Sequence, residues 1–434
     1  MAEYISLEKA LSKVKSGDYI VTGLGAAEGR EFMTKLHTVA DKIKKTVTVS
    51  NCLPMGDYEF FSNPAYKGKF MCESWFYTPS LRKAHANGMV SFVPNHLHLA
   101  ATKRLAFAKP NIYVGLATPP DKHGYVSLSL SNTYERRMID NADLVILEVN
   151  PNAPRTFGDV QVHESEVDYF VKVDYPIPEL PDAEPNEKDL AIGKLIAELI
   201  NDGDCLQLGI GGIPNAVAAS LTGKKDLGIH TEMLTTGMMK LFKAGAVTGA
   251  KKQIHTGKMA AAFAMGTREL YDFLDDNPGV AILDGAYVND PYTIAQNDNQ
   301  VSINTTLEVD ITGQCCSESL GSRQFSGTGG QADTVIGAQN SKNGKSIMAL
   351  YSTAMVKNKD GVREEVSKIV CQLKQGAAVS LSRNDVDYLV TEYGMVALRG
   401  TSIAERARRI ISIAHPKFRD ALKKEALAIG IIAD

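Results

Sequence analysis

Two segments of this chain repeat one strand-and-turn pattern, and that repetition restricts the fold more than any other feature. In SGDYIVTGLGAAEGREF, Gly17-Asp18 is followed after four residues by Gly23-Leu24-Gly25; in DGDCLQLGIGGIPNAV, Gly203-Asp204 is followed after four residues by Gly209-Ile210-Gly211, an offset of 186. A second echo follows in the same order. Asp143, Glu148 and Arg155 in DLVILEVNPNAPR have the separations of Asp387, Glu392 and Arg399 in DYLVTEYGMVALR, at an offset of 244. Two ordered matches indicate two related units, the second carrying extra residues. In both, short β-branched or apolar runs precede helical patterns, which reads as parallel strands with crossover helices, the α/β class. The join falls in DYPIPELPDAEPN, Asp174 to Asn186, where four prolines and four acids interrupt all apolar periodicity. We therefore divide the chain into residues 1–183 and 184–434, each large enough for a domain.

Charge narrows the partners. Lys and Arg number 47 against 50 Asp and Glu, a net charge of -3, so no global basic field holds nucleic acid or an anionic membrane. Any anion must be bound locally. No run approaches the roughly 18 consecutive apolar residues of a membrane span. The opening MAEYISLEKALSKVKSGD reads as an amphipathic helix of mixed charge rather than a leader, which places the protein in the cytoplasm. The six cysteines (Cys52, Cys72, Cys205, Cys315, Cys316, Cys371) form no C-x-x-C pair and read as reduced thiols. His96 and His98 would share one face of a strand and could begin a metal site, but no third ligand of zinc-like spacing stands near, and a metal-free protein is expected.

Three segments carry chemistry. Gly209-Ile210-Gly211-Gly212-Ile213-Pro214 follows the apolar strand CLQL and opens the helix NAVAASL, so free N–H groups and a positive helix end face whatever binds there. The same pattern also makes a plain strand-to-helix turn, and Pro214 at the third position departs from the dinucleotide fingerprint. Glu232, in His230-Thr231-Glu232-Met233, stands at the carboxyl end of a strand, where open α/β sheets bind ligands; a helix N-terminal acid is the alternative. His230 would share its face. Finally, Ser326-Gly327-Thr328-Gly329-Gly330-Gln331 can offer consecutive N–H donors to an oxyanion, and Lys357 beyond it is either a phosphate ligand or a solvated strand-end lysine. Gly-rich loops with a strand-end carboxylate suit an enzyme for a large phosphorylated cofactor.

The order of these motifs resembles the acetyl-CoA hydrolase/transferase family, and within it the 4-hydroxybutyrate and butyrate CoA-transferases. The resemblance is carried by WFYTPSLR, PPDKHGYVSLS, EVNPNAPRTFGD, LQLGIGGIPNAV, LGIHTEM, FAMGTRELYDF, RQFSGTGGQAD, SRNDVDYLVTEYGMVALRG and ERARRIISIAHPKFR, spread over essentially the whole chain. It implies two open-sheet domains of the NagB/RpiA/CoA-transferase-like type with the site in the cleft between them. It places the nucleophile on Glu232 and the contacts to coenzyme A on Gln207, Leu208, Gly209, Ile210, Gly211, Gly330 and Lys357. Coenzyme A would enter as the acyl-CoA co-substrate, with no metal, and the protein would be a homodimer. The implied reaction transfers CoA between a short-chain acyl-CoA and a free carboxylate through a glutamyl-CoA thioester. An acyl-CoA hydrolase using the same glutamate is the alternative, and a phosphate- or dinucleotide-binding α/β protein a more distant one. Gly23, Gly25 and the Asn150 to Arg155 stretch would cap the cleft, with Arg155 pairing either an acceptor carboxylate or Glu148. Thr235-Thr236-Gly237 stand where the family often has Ser-Asp-Gly, and LSLSNTY replaces a more glycine-rich stretch. Butyrate, 4-hydroxybutyrate, acetate, and dicarboxylates such as succinate or itaconate all remain open as the acid.

Overall fold

Parallel pairing of short buried strands builds two open sheets, each with helices on its faces, and the α/β expectation holds. The computed structural model describes residues 2–358 and 360–433. The first sheet has eight strands in the order Glu3–Ile5, Tyr169–Lys172, Leu144–Val149, Ile112–Ala117, Tyr19–Thr22, Val47–Asn51, Phe70–Ser74, Val90–Phe92. The second has nine, in the order Gly394–Ala397, Tyr388–Thr391, Lys345–Ala349, Gln300–Thr305, Cys205–Leu208, Gly228–Leu234, Met259–Ala264, Val280–Ile282, Phe157–Gly158. Every pairing in the two sheets is parallel except that of the final Gly394–Ala397 with Tyr388–Thr391. Strands covered on both faces read as continuous apolar runs, as Tyr19–Thr22 and Cys205–Leu208 do.

The first echo lands on equivalent places: Tyr19–Thr22 and Cys205–Leu208 are both central strands. The second echo matches locally but not in sheet position. One strand separates Leu144–Val149 from Tyr19–Thr22, whereas two separate Tyr388–Thr391 from Cys205–Leu208. The glutamates that end these strands do similar work. Glu148 accepts from the Glu31 and Phe32 N–H groups (3.2 and 2.6 Å) and the Tyr175 hydroxyl (3.0 Å), and Glu392 accepts from the Ser352 N–H and hydroxyl (2.8 Å each). Neither uses the arginine seven residues on. Arg155 instead donates to the Pro119 and Tyr125 carbonyls and stands 3.8 Å from Asp121.

The opening segment is only partly helical. Glu3–Ile5 pairs with Tyr169–Lys172 as an edge strand, and the helix is confined to Leu7–Ser12 behind a Ser6 cap. Sheet pairing across the chain overrides the amphipathic pattern there. The proline-rich stretch lacks regular structure until Asn186 caps the helix Glu187–Leu199, but it is pinned. Tyr175 and Ile177 are buried, and the Leu180 N–H donates to the Gly266 carbonyl at 2.9 Å.

The two sheets share material. Phe157–Gly158, from the first half, extends the edge of the second sheet beside Val280–Ile282. Gly158 has φ +117°, and a Cβ there would lie 2.2 Å from the Ile282 carbonyl oxygen, so only glycine fits. The largest apolar cluster runs unbroken from Val21 and Leu147 through Leu130 and Phe263 to Leu206 and Ile229. Each such buried side chain adds about 1.5–3 kcal/mol. Among the described residues, no helix is long and apolar enough to cross a membrane.

Candidate active site

Glu232 lies near the end of Gly228–Leu234, a strand paired with Cys205–Leu208 on one side and Met259–Ala264 on the other. It is held by the ends of two helices. Asn289, the C-cap of Gly285–Val288, donates from Nδ2 to Glu232 Oε2 at 2.8 Å. Gly330, the N-cap of Gln331–Asn340, brings its backbone against the same oxygen and offers its N–H to the charged form. A Cβ on Gly330 would lie 1.9 Å from Oε2, so the approach requires glycine. Burial pushes the Glu232 carboxyl up to about 7; the Asn289 hydrogen bond pulls it down, the Asp333 charge pushes it up further, and the Gly330 N–H opposes that. A carboxylate poised near neutrality, neither fully hydrated nor locked to a cation, is a usable nucleophile.

His230 shares the face of Glu232, as strand alternation requires. Its Nε2 donates to the Val288 carbonyl at 2.9 Å, tying the strand to the helix end that carries Asn289. Burial, with the Lys252 charge adding to it, pulls His230 down to about 3, so the ring is neutral and serves as a brace.

Glu232 opens onto a cavity of about 260 Å³. Its apolar wall comes from Leu24, Cys52, Leu53, Phe76 and Leu97 of the first half, with Met233 and Phe263 of the second. Its polar wall comes from the second half and includes Asn304, Thr306, Ser317 and Gln331. No lysine, arginine or histidine is among the described residues that line it. Gln207, Leu208, Gly209, Ile210 and Gly330 all border this space. The Gln207 side chain is already engaged, accepting from Ser302 Oγ at 3.0 Å and the Ile303 N–H at 3.2 Å. Gly211, at φ +110°, faces an adjoining space of about 330 Å³ with Ile210, Asn215, Thr235, Thr236 and the 180–183 stretch. The Thr235-Thr236 departure therefore borders this second space and not the first.

Other expected residues lie elsewhere. Lys357 ends the exposed strand Thr353–Lys357, whose hairpin partner is Arg363–Ser367, and is not among the cavity residues. Leu24 reaches the cavity from the first Gly turn, while Asn150 to Arg155 do not. LSLSNTY runs behind the cavity, where the Ala264 N–H donates to the Leu130 carbonyl at 2.8 Å beside Phe263. His96 precedes the turn Leu97–Leu99 as its N-cap and His98 lies within it, so the two do not share a strand, and both approach Asp333. Asn289 is the residue that sequence reading missed; GAYVNDP signals only a helix stop before Pro291.

Comparison with known proteins identifies the family. The acetyl-CoA hydrolase/transferase N-terminal domain model matches residues 2–181, and the C-terminal domain model matches residues 266–426. A succinyl-CoA:cyclohexane-1-carboxylate CoA transferase of Geobacter metallireducens is 43% identical over 96% of this chain and 93% of its own length. A 4-hydroxybutyrate coenzyme A transferase of Clostridium kluyveri is 41% identical over 97% of this chain and 96% of its own length. The crystal structure of RipA from Yersinia pestis superposes with a TM-score of 0.90 at 36% identity, covering 99% of this chain and 98% of that one.

Proposed function

The chain belongs to the acetyl-CoA hydrolase/transferase family and is an acyl-CoA:carboxylate CoA-transferase, and from that premise we propose that Glu232 carries the CoA group between donor and acceptor as a covalent thioester. The observation that supports this most is Glu232 itself, a carboxyl raised to about 7 and held by Asn289 and Gly330 at the wall of a cavity of about 260 Å³.

The cycle balances as follows. The Glu232 carboxylate attacks the thioester carbonyl, the C–S bond breaks, and CoA leaves as thiolate from an acyl-glutamyl anhydride. The thiolate attacks the glutamyl carbonyl, and the first acid departs as its carboxylate, leaving glutamyl-CoA. An acceptor carboxylate attacks that thioester and expels the thiolate, which then takes the new acyl group from the second anhydride and frees Glu232. Each attack passes through a tetrahedral oxyanion, and one preorganised N–H donor is worth about 3 kcal/mol there. Because a carboxylate is a weak nucleophile, orientation by the CoA tail supplies much of the rate.

In this reading residues 184–434 supply the nucleophile and, through Gln207 to Gly211, Gly330 and Lys357, the CoA contacts; residues 1–183 supply the lid, and the working form is a homodimer. The acyl group is short and uncharged, of the butyryl or 4-hydroxybutyryl kind. A second carboxylate on the acyl chain would enter the cavity with no cation to meet it among the described lining residues, and burying it unpaired costs several kcal/mol. Butyryl-CoA is therefore expected to exceed succinyl-CoA in kcat/KM by at least about tenfold.

The test is the intact mass of the protein after incubation with butyryl-CoA alone and then borohydride. Reduction of a glutamyl thioester to the alcohol removes about 14 Da, and Glu232→Ala should abolish that change. Thioester consumption without acceptor and without a mass change would instead favour hydrolysis.

A further inference from the structure

The turn Leu97–Leu99, from the first half of the chain, packs against the helix Gly285–Val288. It also grips the helix that begins at the second Gly-rich loop. Asp333 is the third residue of Gln331–Asn340, and its side chain is only 2% exposed. An acid at that position usually turns back toward the free N–H groups of its own helix. Here both oxygens reach across the chain. Oδ2 accepts the His98 backbone N–H at 3.1 Å, and Oδ1 accepts from His98 Nδ1 at 2.8 Å, with His96 Nδ1 3.7 Å away. Among the described residues, the hydrogen bonds to this carboxylate all come from His98.

What hangs from the two helices gives the contact its meaning. Gly330 is the N-cap of the helix that carries Asp333, and Asn289 is the C-cap of the helix on which the turn sits. These are the two groups that hold Glu232. Leu97, between the histidines, lines the cavity. One turn thus lines the cavity and holds both helices whose ends meet the carboxylate. The His98 ring is drawn down by burial, but the Asp333 hydrogen bond and charge outweigh this and hold it above its ordinary value, with Asp290 adding to them and Lys103 opposing.

We propose that His98 is a positioning residue acting through Asp333, which makes the alignment of Gly330 and Asn289 on Glu232 conditional on the first half being seated over the cleft. The proposal rests on the reading of Glu232 as nucleophile. When the turn lifts, Asp333 is left buried without its partner, and removing one member of such a pair is costly enough to shift the helix start that bears Gly330. A glutamyl thioester is then formed only where water is excluded.

The experiment compares wild type, His98→Ala and His98→Asn with butyryl-CoA, in the presence and absence of acetate. Asparagine keeps a side-chain N–H near the position of Nδ1. Ångström-scale misplacement costs on the order of a hundredfold. His98→Ala should therefore lower the transfer kcat by about 30- to 100-fold, leave KM for butyryl-CoA within about threefold, and send a several-fold larger share of thioester to water. His98→Asn should recover at least about half of the wild-type kcat. If His98→Ala fails to fold, His98→Gln, whose amide sits one methylene further out, replaces it with the same expected loss. A kcat and hydrolysis share within about twofold of wild type would overturn the proposal, and so would a His98→Asn protein that melts like wild type yet is as impaired as the alanine variant. Borohydride trapping separates the two readings: adduct at Glu232 in wild type with no effect of His98→Ala overturns this proposal alone, whereas no adduct in wild type overturns both.

Discussion

Replacing Gly330 by alanine probes the geometry around Glu232 most directly. Gly330 has φ -98° and ψ 17°, so alanine fits its backbone without strain. The added Cβ does not fit its surroundings. It would lie 1.9 Å from Glu232 Oε2 and 2.1 Å from Asn289 Nδ2, where ordinary contact begins at 3.4 Å. The carboxylate must therefore retreat by about 1.5 Å, taking with it the 2.8 Å bond from Asn289. A shift of that size costs on the order of a hundredfold, and loss of one donor costs on the order of a hundred- to a thousandfold. The two losses overlap, so kcat should fall by about 10³, near 4 kcal/mol, while KM for butyryl-CoA stays within about fivefold. Initial rates of butyryl-CoA:acetate exchange and the borohydride mass change measure both effects. Gly329→Ala is the control. Its φ of +54° penalises a side chain, so about 1–2 kcal/mol should be lost in thermal stability. Its Cβ would stand 3.5 Å from Glu232 Oε1, an ordinary contact, so kcat should fall far less. A Gly330→Ala enzyme that folds and works within about tenfold of wild type would refute the placement of the nucleophile against this backbone.

Asn289→Ala should cost about a hundredfold in kcat, and Asn289→Asp more, because it sets a second carboxylate where the amide donates at 2.8 Å; equal losses would show that the amide acts only as a spacer. Glu232 must be ionised to attack, so kcat/KM for acyl-CoA should fall about tenfold per pH unit below about 7, and a profile flat to pH 5 would contradict this. Its raised value has a stability counterpart. The folded chain holds the Glu232 proton more tightly than the unfolded chain, whose value is 4.5, so that contribution is full below 4.5 and is lost as pH rises to about 7. Glu232→Gln should then raise the melting temperature above pH 7 and leave it unchanged near pH 4; calorimetry at the two pH values decides. Lys357→Ala should raise KM for acyl-CoA more than it lowers kcat, and an unchanged KM would remove Lys357 from the CoA contacts.

The sequence makes the local parts of this structure readable and hides the assembled ones. Short apolar runs ending in glycine announce the central strands Tyr19–Thr22 and Cys205–Leu208, because periodicity and turn chemistry are written in consecutive residues. Local pattern marks Glu232 only as a strand-end carboxylate and Gly209 to Gly211 only as a glycine turn; their roles in the site follow from the resemblance to the family. Asn289 lies 57 residues from Glu232 and Asp333 lies 235 from His98, and nothing local in either segment points to its partner. The apolar wall from Leu24, Cys52, Leu53, Phe76 and Leu97 becomes visible only once the first half folds over the second. Glu148 and Arg155 show the converse error: an evenly spaced pair suggests contact, yet each finds nearer backbone partners.

The strand Phe157–Gly158 belongs to the first half by sequence and to the second sheet by hydrogen bonding. A gene split anywhere in Asp174–Asn186 would send this strand away with the wrong product. The second product would then expose Val280–Ile282 as an open edge, ready to pair with any extended chain it met. A lineage that separated the two halves would have to synthesise them in step and let each find its counterpart before aggregating. Fusion on one polypeptide removes that hazard, and the borrowed strand makes the fusion hard to undo by any mutation that cuts only the linker.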